Sequence, residues 1–269
     1  MLDKSKISEL TFVSRSQAAK DTGISYLGGV NTSSKIKKAD KYNELTYIIY
    51  LSPYDSSGFN VCAGATKECI EACLTESGHG RMDTKGIIKE ARINRTQLFY
   101  YNREFFMRWM TAEIDAYRKK AEKMSYRFSV RVNGTSDLSL ALFKLDGKNI
   151  LELYPDVQFY DYTKIQNRIK LLRYPNYDLT YSFNGHNWDK CEESLSQGMR
   201  VAVVFKDRLP ESYKGYKVID GDTYDMRYLD DKNVIVGLKF KVVKNKIDLD
   251  TSPFIVSDHL NAESLNIAA

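Results

Sequence analysis

No run of about 18 apolar residues, the length a membrane-crossing helix needs, occurs in these 269 residues. That absence excludes a helical membrane protein from the reading. Histidine is scarce, with only His79, His186 and His259 in the chain. No H-E-x-x-H and no paired C-x2-C accompanies them, which argues against a metalloenzyme built on zinc-bound water. A G-x4-G-K-[ST] phosphate loop and a G-x-S-x-G elbow are also missing, so the common ATPase and esterase readings lose their signatures. Four cysteines in 31.0 kDa are few. With no apolar leader behind "MLDKSKISEL", they predict a soluble protein in a reducing, cytoplasmic setting. The length is sufficient to bury a large core without covalent staples.

What is present is modestly basic and rich in tyrosine. The formal charge is +5; Lys35, Lys37, Lys38 and Lys41 crowd one segment and Lys239, Lys241, Lys244 and Lys246 another. Such runs form either a solvated face or an electrostatic footprint for a nucleic acid or phosphate. Nineteen tyrosines suit cores with wet edges and base-stacking sites alike.

Residues 1–42 are polar and contain "NTSSKIKKADK", which predicts an N-terminal arm with little regular structure or lying across the body. Residues 43–269 then read as a single α/β domain. Strands are expected at 45–52, 127–133, 157–162, 178–183, 200–205 and 233–238, where β-branched and aromatic residues cluster. Between them, helical periodicity covers 83–124 (two helices), 138–154 (one or two), 163–173 and 186–198, the last closed by Gly198. Strands alternating with helices imply a mostly parallel sheet, here an open or partial (β/α) barrel, with an open doubly wound sheet as the alternative. Polar clusters end the strands: "NGTSD" (133–137), "DYTK" (161–164), "SFNGHN" (182–187), "KDR" (206–208) and "DGDTYD" (220–225). In parallel architectures those ends converge on one site.

The loop at 60–81 holds Cys62, Cys69 and Cys73, a C-x6-C-x3-C spacing. On one continuous helix the three would fall within about 20° of a line, as a packing stripe does. Cys62 and Cys73 would then stand roughly 16 Å apart along the axis, too far for one metal centre. Ligation therefore requires a bend between Cys62 and Cys69, and "AGAT" supplies one: Gly64 is free of a Cβ, and Thr66 can cap a helix whose third position carries Cys69. A cluster or metal, plain packing and a disulfide all stay open at this point. Three thiols suit an iron-sulfur cluster with one open iron; a closed zinc site would need His79 or the distant Cys191 as a fourth ligand.

The cysteine stretch "VCAGATKECIEACLTESGHGR", with "ARINR", "RVNGTSD", "DVQFYDYTK", "DLTYSFNG" and "DGDTYDMRYLD", resembles the bacteriophage proteins grouped as gene product 88 like. That family looks like a relative of the radical S-adenosylmethionine enzymes. The resemblance implies a TIM-like partial (β/α)6 barrel and a [4Fe-4S] cluster held by Cys62, Cys69 and Cys73. Ala63 and Leu74 stand where the family has Pro and Tyr. On the enzyme reading, Asn133, Ser136, Asp137, Thr163, Ser182 and Asn184 would bind the cofactor, S-adenosylmethionine included. Asp161 and Lys164 would orient substrate, and Asp222 with Asp225 would serve as hydrogen-bond or acid/base groups. The alternative is a nucleic-acid-binding phage protein with a structural cluster or zinc. Arg92, Arg95, Arg103 and Arg108, interleaved with Tyr100, Tyr101 and Phe105, carry that reading.

Overall fold

The computed structural model of the chain describes residues 4–30, 37–73, 83–241 and 251–257. In chain order its elements are α1 (Lys4–Ile7), α2 (Arg15–Thr22), β1 (Gly28–Gly29), β2 (Glu44–Ile49), α3 (Lys67–Glu71), α4 (Ile87–Tyr101), α5 (Arg103–Lys123) and β3 (Arg127–Arg131). There follow β4 (Lys144–Leu145), β5 (Lys148–Asn149), α6 (Ile150–Leu153), β6 (Gln158–Thr163), β7 (Tyr177–Ser182), α7 (Trp188–Ser196) and β8 (Arg200–Phe205). The last are β9 (Ser212–Tyr213), β10 (Tyr216–Asp220), β11 (Ile235–Lys239) and β12 (Ile255–Val256). The described strands are mostly parallel, so the α/β class follows the alternation of the sequence. All six expected strands form, with ends within three residues of those read from the pattern. Among the described residues no helix is long and apolar enough to cross a membrane.

The chain divides into two compact units. The first comprises residues 1–63, 83–161 and 170–178. Here the strand order is β1-β2-β3-β6, with β2, β3 and β6 mutually parallel and β1 antiparallel to β2. Every residue of β2 is buried. On the β2 and β3 pair, Thr46 and Ser129 face each other through a buried hydroxyl contact of 3.0 Å. The expected pair of helices at 83–124 is α4 and α5, and Asn102 makes the break. Its backbone N–H ends α4 on Leu98 O, while its Oδ1 caps α5 by accepting from Phe105 N at 3.0 Å. The side-chain amide then donates to Ile7 O and Leu10 O, at 2.8 and 2.9 Å. From α5, Phe105, Phe106, Trp109, Met110, Glu113 and Ile114 are buried at helical spacing. Phe106 and Trp109 are fully enclosed, and truncating either to Ala would cost about 3–5 kcal/mol.

One local expectation in this unit changes. Residues 138–154 form a hairpin, β4 and β5, followed by the one-turn helix α6. The reason lies in Asp146-Gly147, both at positive φ (49° and 81°), the turn that matches strand twist. The N-terminal 42 residues hold α1, α2 and β1. Helix α2 has a signal at each end: Ser14 Oγ accepts from Gln17 N, and Gly23 at φ +67° returns its N–H to Ala19 O. Residues 24–29 are fixed by the buried Glu113, whose carboxylate accepts from Leu27 N (3.0 Å), Gly28 N (2.9 Å) and Tyr47 Oη (2.6 Å). A side chain at Gly28 would run into the Tyr47 ring, 2.6 Å away.

The second unit comprises residues 64–82, 162–169 and 179–269. Its strand order is β7-β8-β11-β10-β9, with β12 added in parallel to β8. Helix α7 fills the expected span, and Gly198 at φ +85° closes it with its N–H on Leu195 O. The stretch expected as a helix at 163–173 instead carries a 3-10 segment, Gln166–Arg173.

Candidate functional site

In the first unit, the strand-end turn after β3 is built around Asn133. Its Oδ1 accepts from Ser136 Oγ (2.8 Å) and Leu138 N (2.9 Å), and its Nδ2 donates to Leu138 O (3.0 Å). Asp161, 2% exposed near the end of β6, accepts from Asn133 N (2.9 Å) and Nδ2 (3.1 Å). Burial pushes the Asp161 carboxyl up to about 7, against the pull of Arg131 and the two Asn133 hydrogen bonds. The turn is also stitched to the loop after β2. Gly134 N donates to Ile49 O, Thr135 Oγ1 to Leu51 O, and Asp137 N to Val61 O. A Cβ on Gly134 would meet Ile49 O at 2.6 Å. Cys62 belongs to this same assembly: its Sγ accepts from Tyr54 N at 3.4 Å and donates to Thr135 O at 3.8 Å. The structure therefore joins Cys62 to "NGTSD" and Asp161. Asn133 and Ser136 turn into the loop itself, where they shape it.

In the second unit, Gly64 and Thr66 lead into the cysteine helix. Gly64 packs on Lys164, whose Cβ would lie 2.8 Å from a Cβ at position 64. Thr66 is the N-cap of α3, with its Oγ1 accepting from Cys69 N at 3.3 Å. The same hydroxyl donates to Asn184 O at 3.1 Å, which ties the start of the cysteine helix to the "SFNGHN" turn. Next along that helix, Glu68 stands 3.6 Å from His186 Nε2. Cys69 packs against a buried cluster of Ala72, Phe254 and Ile255. The helix ends at Glu71, and Cys73 comes after it with its N–H on Ile70 O.

The remaining expected residues have partners of their own. Thr163 Oγ1 accepts from Ile165 N, Ser182 O receives the Asn187 amide, and Asn184 Oδ1 accepts from His186 N. Asp222 accepts from Lys239 N at 3.0 Å and pairs with Lys241 at 3.5 Å. Asp225 is buried beside Arg227, whose guanidinium pairs with Asp230 at 3.1 Å. Cys191 is fully buried, donates to Asn187 Oδ1 at 3.8 Å and has its thiol pushed up to about 12 by that burial. His79, His259, Lys35, Lys244 and Lys246 lie outside the described residues.

The gene product 88 family matches residues 22–252. The chain belongs to that family. No curated protein and no solved structure matches it. Within this family member, the helical region offered for nucleic-acid binding is engaged internally. Arg92 and Arg95 lie over the rings of Tyr50 and Tyr26, Arg103 lies over Phe99, and Arg108 pairs with Glu104 and Asp146. Tyr100 stacks on Phe59 at 4.1 Å, and Phe105 is core. Among the described residues no three His, Cys, Asp or Glu side chains form a group able to hold a metal ion.

The sequence reading passed over Phe254. Its segment, "SPFIVS" (252–257), has four apolar residues at most and no motif signal, yet it supplies β12 and most of the cluster under Cys69.

Proposed function

We propose that this member of the gene product 88 family is an iron-sulfur protein that binds a [4Fe-4S] cluster through Cys62, Cys69 and Cys73. Its open sheet is read as a partial (β/α)6 barrel, and its chemistry as similar to that of the radical S-adenosylmethionine enzymes. The observation that carries the reading is the Thr66 cap, which starts α3 at Lys67, so that Cys62 and Cys69 do not share one helix. The donor chemistry suits the group, since three thiols leave one iron of four open. The N–H of Tyr54 directed at Cys62 Sγ is the kind of hydrogen bond that stabilises a sulfur carrying negative charge. Among the described residues, however, the side chains do not make a gathered three-donor set. When bound, a cluster of this kind supplies one-electron chemistry. The chain's own contribution is to hold the cysteine loop: Asn133 and Asp161 shape the turn that carries the Cys62 contact, and Thr66 and Asn184 anchor the start of α3.

The test is anaerobic purification and reconstitution, with iron, labile sulfide and zinc measured on the wild type and on Cys69→Ala. About four irons per chain, lost in the variant, is the expected result. A wild type that takes up no iron, or that holds zinc in its place, overturns the reading. If iron binds, dithionite with S-adenosylmethionine should release deoxyadenosine, and its absence removes the radical chemistry while leaving the cluster.

A further inference from the structure

We infer that Phe254 is a positioning residue for Cys69. Three elements of the second unit meet on this one side chain or its backbone. Ala72, at the end of α3, shares the buried cluster of Phe254 and Ile255, and Cys69 packs against that cluster together with Val204 and Phe240. Lys164, from the end of β6, places its ammonium 6.0 Å from the Phe254 ring centroid, while its Cβ side fills the space left by Gly64. Gly185, at φ +100°, brings the "SFNGHN" turn so close that a Cβ there would lie 3.0 Å from Phe254 N. The segment itself is registered: Ile255 and Val256 pair with Val204 and Phe205, and Lys206 N donates to Val256 O at 2.9 Å.

Helix α3 needs such a support. It has only five residues, no buried residue of its own and a single side-chain cap, so it is far below the length at which a helix persists unaided. The position of Cys69 is therefore set from outside the helix, by the cap at Thr66 and the apolar floor at Phe254. Lys164 adds a requirement for an aromatic ring, because a cation over a π face is attracted by the ring quadrupole and an aliphatic side chain offers none.

That Cys69 is a cluster ligand rests on the function proposed above; that Phe254 holds its helix does not. The experiment keeps the two apart. The full chain, purified without metal, is labelled with N-ethylmaleimide, and the rates at Cys69 and Cys191 are read by peptide mass spectrometry for the wild type, Phe254→Ala, Phe254→Leu and Phe254→Tyr. Cys191 is the internal control, since it is buried in the same unit. The expected result is a rise on the order of tenfold at Cys69 in Phe254→Ala, a smaller rise in Phe254→Leu, restoration in Phe254→Tyr, and an unchanged Cys191. Each sample is then reconstituted with iron and sulfide, and the half-time of iron loss to a chelator should fall in the same order. Equal Cys69 rates in all four proteins, or Cys69 and Cys191 rising together, would overturn the inference. A wild type that takes no iron would sink the cluster and leave the labelling result to decide Phe254.

Discussion

Replacing Asp161 by Asn should reverse sign across the pH range. The wild-type carboxyl is 2% exposed and ionises near 7 in the folded chain, against an ordinary value of 3.8. Between those values the unfolded chain has released the proton and the folded one still holds it. Folding therefore binds a proton, and stability falls as pH rises through the window. The contribution is fully present below pH 3.8 and lost above about 7. At 1.36 kcal/mol per pH unit the whole span amounts to on the order of 4 kcal/mol. Asn removes the titration and keeps one acceptor for Asn133 N, but turns an amide toward Asn133 Nδ2, which donates to Asp161 at 3.1 Å in the wild type. Losing that hydrogen bond costs about 1 kcal/mol. The variant should thus be less stable than the wild type near pH 4 and more stable, by about 3 kcal/mol, near pH 8. Urea unfolding of both proteins at four pH values, followed by tryptophan fluorescence, measures the crossing. Parallel curves would refute the reasoning, as would a carbon-13 titration that puts Asp161 below 5.

Two smaller perturbations separate the parts of the site. Gly134→Ala drives a methyl against Ile49 O and the Tyr50 ring, at 2.6 and 2.8 Å, and should cost about 1–3 kcal/mol; a change below 0.5 kcal/mol in urea unfolding would show that the turn has room. Thr66→Ala removes the cap of α3 and the tie to Asn184, for a loss of about 1 kcal/mol. Amide exchange should quicken across residues 67–71 and stay unchanged in α5, and uniform protection in both would count against the cap.

Much of the frame was legible because buried parallel strands write themselves as apolar runs. "RVAVVF" is β8, residue for residue. The Thr66 cap was legible too, since an N-cap threonine acts locally. What escaped notice depended on distant partners or on chain chemistry with two uses. The apolar spacing of "LSLALFKLDGKNILELY" imitates a helix, but Asp146-Gly147 turns it into a hairpin. Phe254 gains its meaning only from pairing with β8 and from packing under Cys69. Asn133 and Ser136 looked like ligand-binding groups because a polar strand end reads the same whether it faces a ligand or its own backbone; here their hydrogen bonds shape the turn.

Asn102 shows a different kind of constraint. Its backbone finishes one helix, its carbonyl oxygen starts the next, and its amide nitrogen holds Ile7 and Leu10. A substitution there loosens one or more of these joints. A single inserted residue does something worse, because each added position rotates the remainder of a helix by about 100°. The apolar stripe of the 21-residue α5 would then face water along its whole length. The corner between the two long helices is thus a place where the protein can tolerate a changed letter far more readily than a changed count.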